Sequence, residues 1–375
     1  MTGHTVLRDG TAALRREIED ELSSFFAART SAAQVYGPEF ARLWELAAES
    51  VLGGKMLRPC LLVTVFEAFL EDRASSSPEC DREGLVRLAS AIELLHFAFL
   101  LHDDVIDGDL MRRHRPNLIG SILEESAASP RSRRTSVEAE QDVRLHWART
   151  GGLLMGDLVL SAVHQTIARE RLSHDARLSL LDLLDHSIVD SVAGEHLDVG
   201  MSDGAIRIDL RRILTMSQLK TATYSFELPL RAAALLSGQS REAQEQLAEA
   251  GRHLGLAFQL QDDLLSVFGQ HEDHGKDPFS DLREGKETAI IAYARMTSSW
   301  ARIEPVFGAS DLSEGDGLTA RAALSECGAE RFVRFLIADE IDACLQLISR
   351  PESALPERVG DVLRSLVSSL EHRRA

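Results

Sequence analysis

Residues Leu85 to Pro116 read LVRLASAIELLHFAFLLHDDVIDGDLMRRHRP, and this stretch decides the fold. It is rich in Leu and Ala, lacks alternating β-branched residues, and repeats its apolar positions with a helical period. A second stretch, LRRILTMSQLKTATYSFELPLRAAALL from Leu210 to Leu236, reads the same way. No strand pattern competes, so the expected fold class is all-α, a single large helical bundle around a central cavity. Breakers mark loops at 71–82, 127–140, 269–285 and 308–317. No fixed repeat and no composition shift divides the chain, which predicts one domain over residues 1–375 with a flexible loop at 127–140. The SPRSRRTS run in that loop reads as a solvated segment.

The chain has 375 residues, 44% hydrophobic and 27% charged, the balance of a soluble globular protein. A formal charge of −18 argues against nucleic acid and anionic membranes as partners, so any phosphate site must come from clustered Lys and Arg. Cys60, Cys80, Cys327 and Cys344 are far apart and form no metal-ligand spacing. That points to reduced thiols and a cytoplasmic location. No signal segment and no apolar run of about 18 residues suited to a membrane span is expected.

The acids close the apolar run LLHFAFLL. Asp103 and Asp107 are spaced i, i+4, which puts their carboxylates on one helix face, and Asp104 and Asp109 lie nearby. An acid cluster on a helix is ordinarily a solvated face, but acids at the end of a buried helix need partners. FQLQDDLLSVFG repeats the arrangement with Asp262 and Asp263. Oxygen ligands on two such helices suit Mg²⁺ whose other ligands are phosphate oxygens. In GGKMLRP, Gly53 and Gly54 break one helix and Pro59 suits the first turn of the next, leaving Lys55 and Arg58 at a helix N-terminus fit for an anion. Arg112, Arg113, Lys220 and Lys276 add cations. Singly each reads as a surface charge; with the acid pairs they describe a site for two diphosphate groups.

GGKMLRP, LLHFAFLLHDDVIDGDLMRRHRP, LKTATYSFELPL, FQLQDDLLSVFG and GKDPFSDLREGKET, in this order over about 240 residues, resemble the polyprenyl (isoprenyl) diphosphate synthases. The resemblance implies an isoprenoid synthase type fold, most like a bacterial geranylgeranyl diphosphate synthase, and a homodimer. It implies that Asp103, Asp107 and Asp262 ligate Mg²⁺ bridging an allylic diphosphate (dimethylallyl, geranyl or farnesyl), gripped also by Arg112, Lys220 and Lys276. Lys55, Arg58, His96 and Arg113 match the positions that hold isopentenyl diphosphate. Thr221, Gln259 and the Lys220 carbonyl match dipoles aimed at the allylic cation. The implied chemistry is ionisation of the allylic C–O bond, attack by the isopentenyl alkene, and proton loss to the released diphosphate.

Four departures stand out. Ser266 occupies the place of a third Asp, Met56 that of an Arg, His114 that of a Gly, and Glu195 in GEHLDV that of a Gln. Ser266 also admits a class I terpene cyclase, whose second metal motif would need a Glu at Gln270 and no second diphosphate site. Loss of Asp103 or Lys220 would have favoured a non-catalytic regulatory subunit. Bulky residues before the first acidic motif set product length in the family, and here Phe99 and Ala98 lie four and five residues before Asp103, about 6 to 8 Å away. The expectation is room beside Phe99 at Ala98, a stop at C20, with C15 or a longer chain as alternatives, and a shorter product from Ala98→Phe.

Overall fold

The structure, a computed structural model, describes residues 3–71, 77–112, 115–128, 137–269, 279–350 and 352–371. It is 81% helical, as expected. The chain forms two compact units, one from residues 1–63 and 80–177, the other from 64–79 and 178–375.

The first unit holds α1 (Gly3–Ala33), α2 (Pro38–Val51), the start of α3 (Leu57–Glu71), α4 (Arg82–Asp107), α5 (Leu118–Ala128) and α6 (Val137–Arg169). Its centre is α4, which packs along α6 and α1. Asp81 starts α4 by accepting the Gly84 N–H at 2.8 Å, and Gly108 stops it in the left-handed region at φ 75°. Between these signals the helix buries Leu85, Leu95, Ala98 and Leu101 to 1% exposure or less. Each such Leu contributes roughly 1.5–3 kcal/mol relative to an exposed one. Phe97 meets the buried Phe26 of α1 edge-on, ring centres 6.2 Å apart.

By length and composition α4 could cross a membrane, since its most apolar window has mean hydropathy 1.7. That window is 78% buried inside the protein, as in a core helix.

Arg87 of α4 reaches Glu170, just beyond α6, in a two-pronged pair at 2.8 and 3.0 Å. The Arg87 guanidinium holds the buried Glu170 carboxyl below its ordinary 4.5. A depressed acid adds stability above its unfolded pKa and loses it as pH falls through the folded one. Arg87→Ala is therefore expected to destabilise the unit by roughly 2 kcal/mol near neutral pH, less than for a wholly buried pair because Arg87 is 36% exposed. In thermal melts the gap from wild type should close below about pH 4.5; a gap constant with pH would contradict this.

The second unit holds the end of α3, all but the first turn of α7 (His174–Ser202), α8 (Leu210–Ser217), a π-helix (Gln218–Glu227), α9 (Leu228–Leu236) and α10 (Arg241–Phe268). Beyond these come α11 (Ser280–Glu284), α12 (Ala289–Arg295), α13 (Trp300–Ile303), α14 (Glu314–Glu326), α15 (Ala329–Ile348) and α16 (Glu357–Glu371). Its centre is α10, packed against the π-helix, α9 and α15.

Three expectations need correction. The helix expected over 210–236 is not uniform: Pro229 has no N–H to give, and the Leu228 N–H bonds the Thr223 carbonyl five residues back, in a wide turn of ten residues. Of the loop expected at 127–140, residues 127–128 and 137–140 are helical, and 129–136 lie outside the described residues. A minimal ribbon, β1 (Met111–Arg112) and β2 (Arg115–Pro116), pairs antiparallel where no strand is legible.

Candidate active site

At the C-terminal end of α4 the four acids separate by exposure. Asp103 keeps 28% of its side chain open and Asp107 is exposed, one turn apart on one face. Asp104 points the other way and is 3% exposed. The β1–β2 ribbon folds Arg112 back onto it, Nη2 to Oδ1 at 2.6 Å, with Asp103 at 3.8 Å. Burial pushes the Asp104 carboxyl up and Arg112 works against that, while Asp104 holds the Arg112 guanidinium up despite its burial. Asn117 fixes the ribbon, donating to the Asp109 carbonyl at 2.8 Å and accepting the Gly120 N–H at 2.9 Å. Asp104 thus anchors Arg112 beside Asp103, a role the acid spacing alone did not reveal.

Lys55 is exposed ahead of α3, with Arg58 and Pro59 in that helix's first turn, as expected. Met56 explains its own departure: it lies at φ 50° with a side chain 1% exposed, so it anchors the turn in the core. His96 and Phe99 are half-buried on α4. Ala98 beside Phe99 is fully buried. Arg113, His114, Gln270 and Lys276 lie outside the described residues.

In the second unit the π-helix carries Lys220 and Thr221. It is approached by glycines on two sides: a Cβ on Gly194 of α7 would lie 2.3 Å from the Lys220 nitrogen, and one on Gly255 of α10 would lie 2.4 Å from the Ala222 Cα. The Lys220 Nζ sits 2.7 Å from Glu195 and 2.7 Å from Asp198. Thr221 Oγ1 donates to Gln259 Oε1 at 2.8 Å, and Gln259 Nε2 donates to Asp263 Oδ1 at 2.8 Å. The Thr221 proton is thereby committed, leaving its oxygen lone pairs to face a positive charge.

Asp262 is half-buried beside Asp263, which is 5% exposed and pushed up to about 7 by burial and by Asp281. Ser266 contacts Asp281 Oδ2 of α11 at 2.5 Å, while its carbonyl accepts the Phe279 N–H at 3.1 Å. Asp281 therefore brings a carboxylate to the position where the acidic motif lacks its third Asp. Reading the motif alone could not place it, because it comes from fifteen residues downstream. Among the described residues no three His, Cys, Asp or Glu converge to hold a metal ion by themselves. Within the first unit Asp103 and Asp107 offer hard carboxylate oxygens from one helix face, and within the second Asp262 and Asp263 do so from the end of α10, the donor type that suits a divalent cation.

The sequence model of the Polyprenyl synthetase family matches residues 41–316. The chain is 29% identical over 333 residues to a (2E,6E)-farnesyl diphosphate synthase of Mycobacterium tuberculosis H37Rv, covering 86% of this chain and 80% of that one. It is 27% identical over 317 residues to a geranylgeranyl diphosphate synthase of Methanosarcina mazei, covering 84% and 86%. The solved geranylgeranyl pyrophosphate synthase of Corynebacterium glutamicum, complexed with isoprenyl diphosphate and magnesium, superposes with TM-score 0.85 at 25% identity over 96% of this chain and 99% of that one. The chain belongs to the polyprenyl synthetase family, a family of prenyltransferases that act on isoprenoid diphosphates with a divalent metal.

Proposed function

We propose that the protein is a geranylgeranyl diphosphate synthase, condensing isopentenyl diphosphate with an allylic diphosphate in the presence of Mg²⁺ to a C20 product. The observation that carries the reading is the π-helix with its Lys220 cation and its Thr221–Gln259–Asp263 relay. Mg²⁺ held by Asp103, Asp107 and Asp262 would offset charge building on the leaving diphosphate. Arg112, Lys220 and Lys276 grip that group, while Lys55, Arg58, His96 and Arg113 hold the isopentenyl partner. The carbonyl of Lys220 and the oxygens of Thr221 and Gln259 stabilise the allylic cation as neutral dipoles. The reading includes a cytoplasmic homodimer whose two compact units work as one domain; four free cysteines support a reducing location.

Phe99, half-buried one turn before Asp103, serves as the floor under the growing chain. Phe99→Ala is expected to lengthen the product by at least one C5 unit, read by mass spectrometry; an unchanged product would move the floor to another helix. The test of C20 itself is incubation of purified protein with isopentenyl diphosphate and each of dimethylallyl, geranyl and farnesyl diphosphate. A C20 diphosphate from all three is the expected result, and a C15 or C25 end product would correct the length.

A further inference from the structure

Glu195 stands where the resembling family has Gln, and the π-helix gives it a partner. Gly194 lets α7 approach the Lys220 backbone closely, so the residues that follow face Lys220 at short range. Glu195 and Asp198, three apart, share that face. Both carboxylates reach the Lys220 Nζ at 2.7 Å, with side chains only 20% and 8% exposed. The second oxygen of Asp198 is buried without a hydrogen-bond partner, so this charge depends on the lysine. The trio carries a net charge of −1 where a Gln at 195 would leave it neutral.

We propose that Glu195 and Asp198 form a carboxylate clamp on Lys220, and that Glu195 is a specificity-determining residue that weakens the enzyme's hold on the allylic diphosphate and on released pyrophosphate. A diphosphate arriving at Lys220 must draw Nζ away from two carboxylates and meets the surplus negative charge. With Gln the same length of side chain remains and the repulsion is gone. The clamp rests on the reading of Lys220 as a diphosphate ligand. If it served only to tie α7 to the π-helix, removing its charge would alter stability and leave diphosphate affinity alone.

Calorimetric titration with inorganic pyrophosphate at fixed Mg²⁺ tests this without turnover. Glu195→Gln should bind pyrophosphate about tenfold more tightly than wild type, the effect of a change near 1.4 kcal/mol. Its KM for the allylic substrate should fall while that for isopentenyl diphosphate stays put. Glu195→Asp, which keeps the charge, should remain near wild type, and Glu195→Ala should tighten binding as Gln does. Equal or weaker pyrophosphate binding by Glu195→Gln and Glu195→Ala, in proteins that melt like wild type, would overturn the clamp. Absence of any prenyl product from wild type would instead overturn the synthase reading.

Discussion

Asp103→Asn is expected to lower kcat by about a thousandfold while the protein melts at its usual temperature. Asp103 is part-exposed at the end of α4 and lies 3.8 Å from Arg112, which is held more closely by Asp104 at 2.6 Å. The amide keeps shape and removes the charge that would hold the metal. Losing several kcal/mol of stabilisation on a departing diphosphate corresponds to about 10³ in rate. Steady-state kinetics across Mg²⁺ concentrations checks it, and kcat within tenfold of wild type would remove Asp103 from the metal site. Asp104, buried on Arg112, offers the contrast: its loss strands Arg112 and should lower the melting temperature as well.

Gly194→Ala, which adds a single uncharged methyl, is expected to lower kcat by about a hundredfold. The new Cβ would overlap the Lys220 backbone nitrogen and Cα, at 2.3 and 2.7 Å, and neither belongs to a flexible side-chain end. Either α7 or the π-helix must move, at a cost of roughly 1–3 kcal/mol. A displacement near 1 Å at Lys220 and Thr221 is enough for a rate loss of about 10². Melting and kinetics measured together check this. A variant with normal kcat would show that the π-helix tolerates displacement, or that its dipoles do not act in the reaction.

The helical class was legible because the stretches over 85–116 and 210–236 carry long apolar runs of helical period; the caps Asp81 and Gly108 that bound α4 came only with the structure. The acid pair Asp103 and Asp107 was legible too, since a spacing of four has one meaning on a helix. The π-helix was not. Gly194 and Gly255 come close against it from two other helices, and that approach exists only once the chain is folded. For the same reason the roles of Asp104, Asp263 and Asp281 escaped: each is defined by a partner brought in by a ribbon or a distant turn. Met56 looked like a change in an anion site, and burial shows it to be a core anchor.

The central claim is chain elongation, and transfer of isotopically labelled isopentenyl diphosphate into an allylic product tests it most directly. Purified wild-type protein with labelled isopentenyl diphosphate, geranyl diphosphate and Mg²⁺ should yield a longer diphosphate carrying one label per C5 unit added, with none when Mg²⁺ is chelated. Unlabelled cyclic hydrocarbon formed from the allylic diphosphate alone, or no turnover with either substrate pair, would contradict the account.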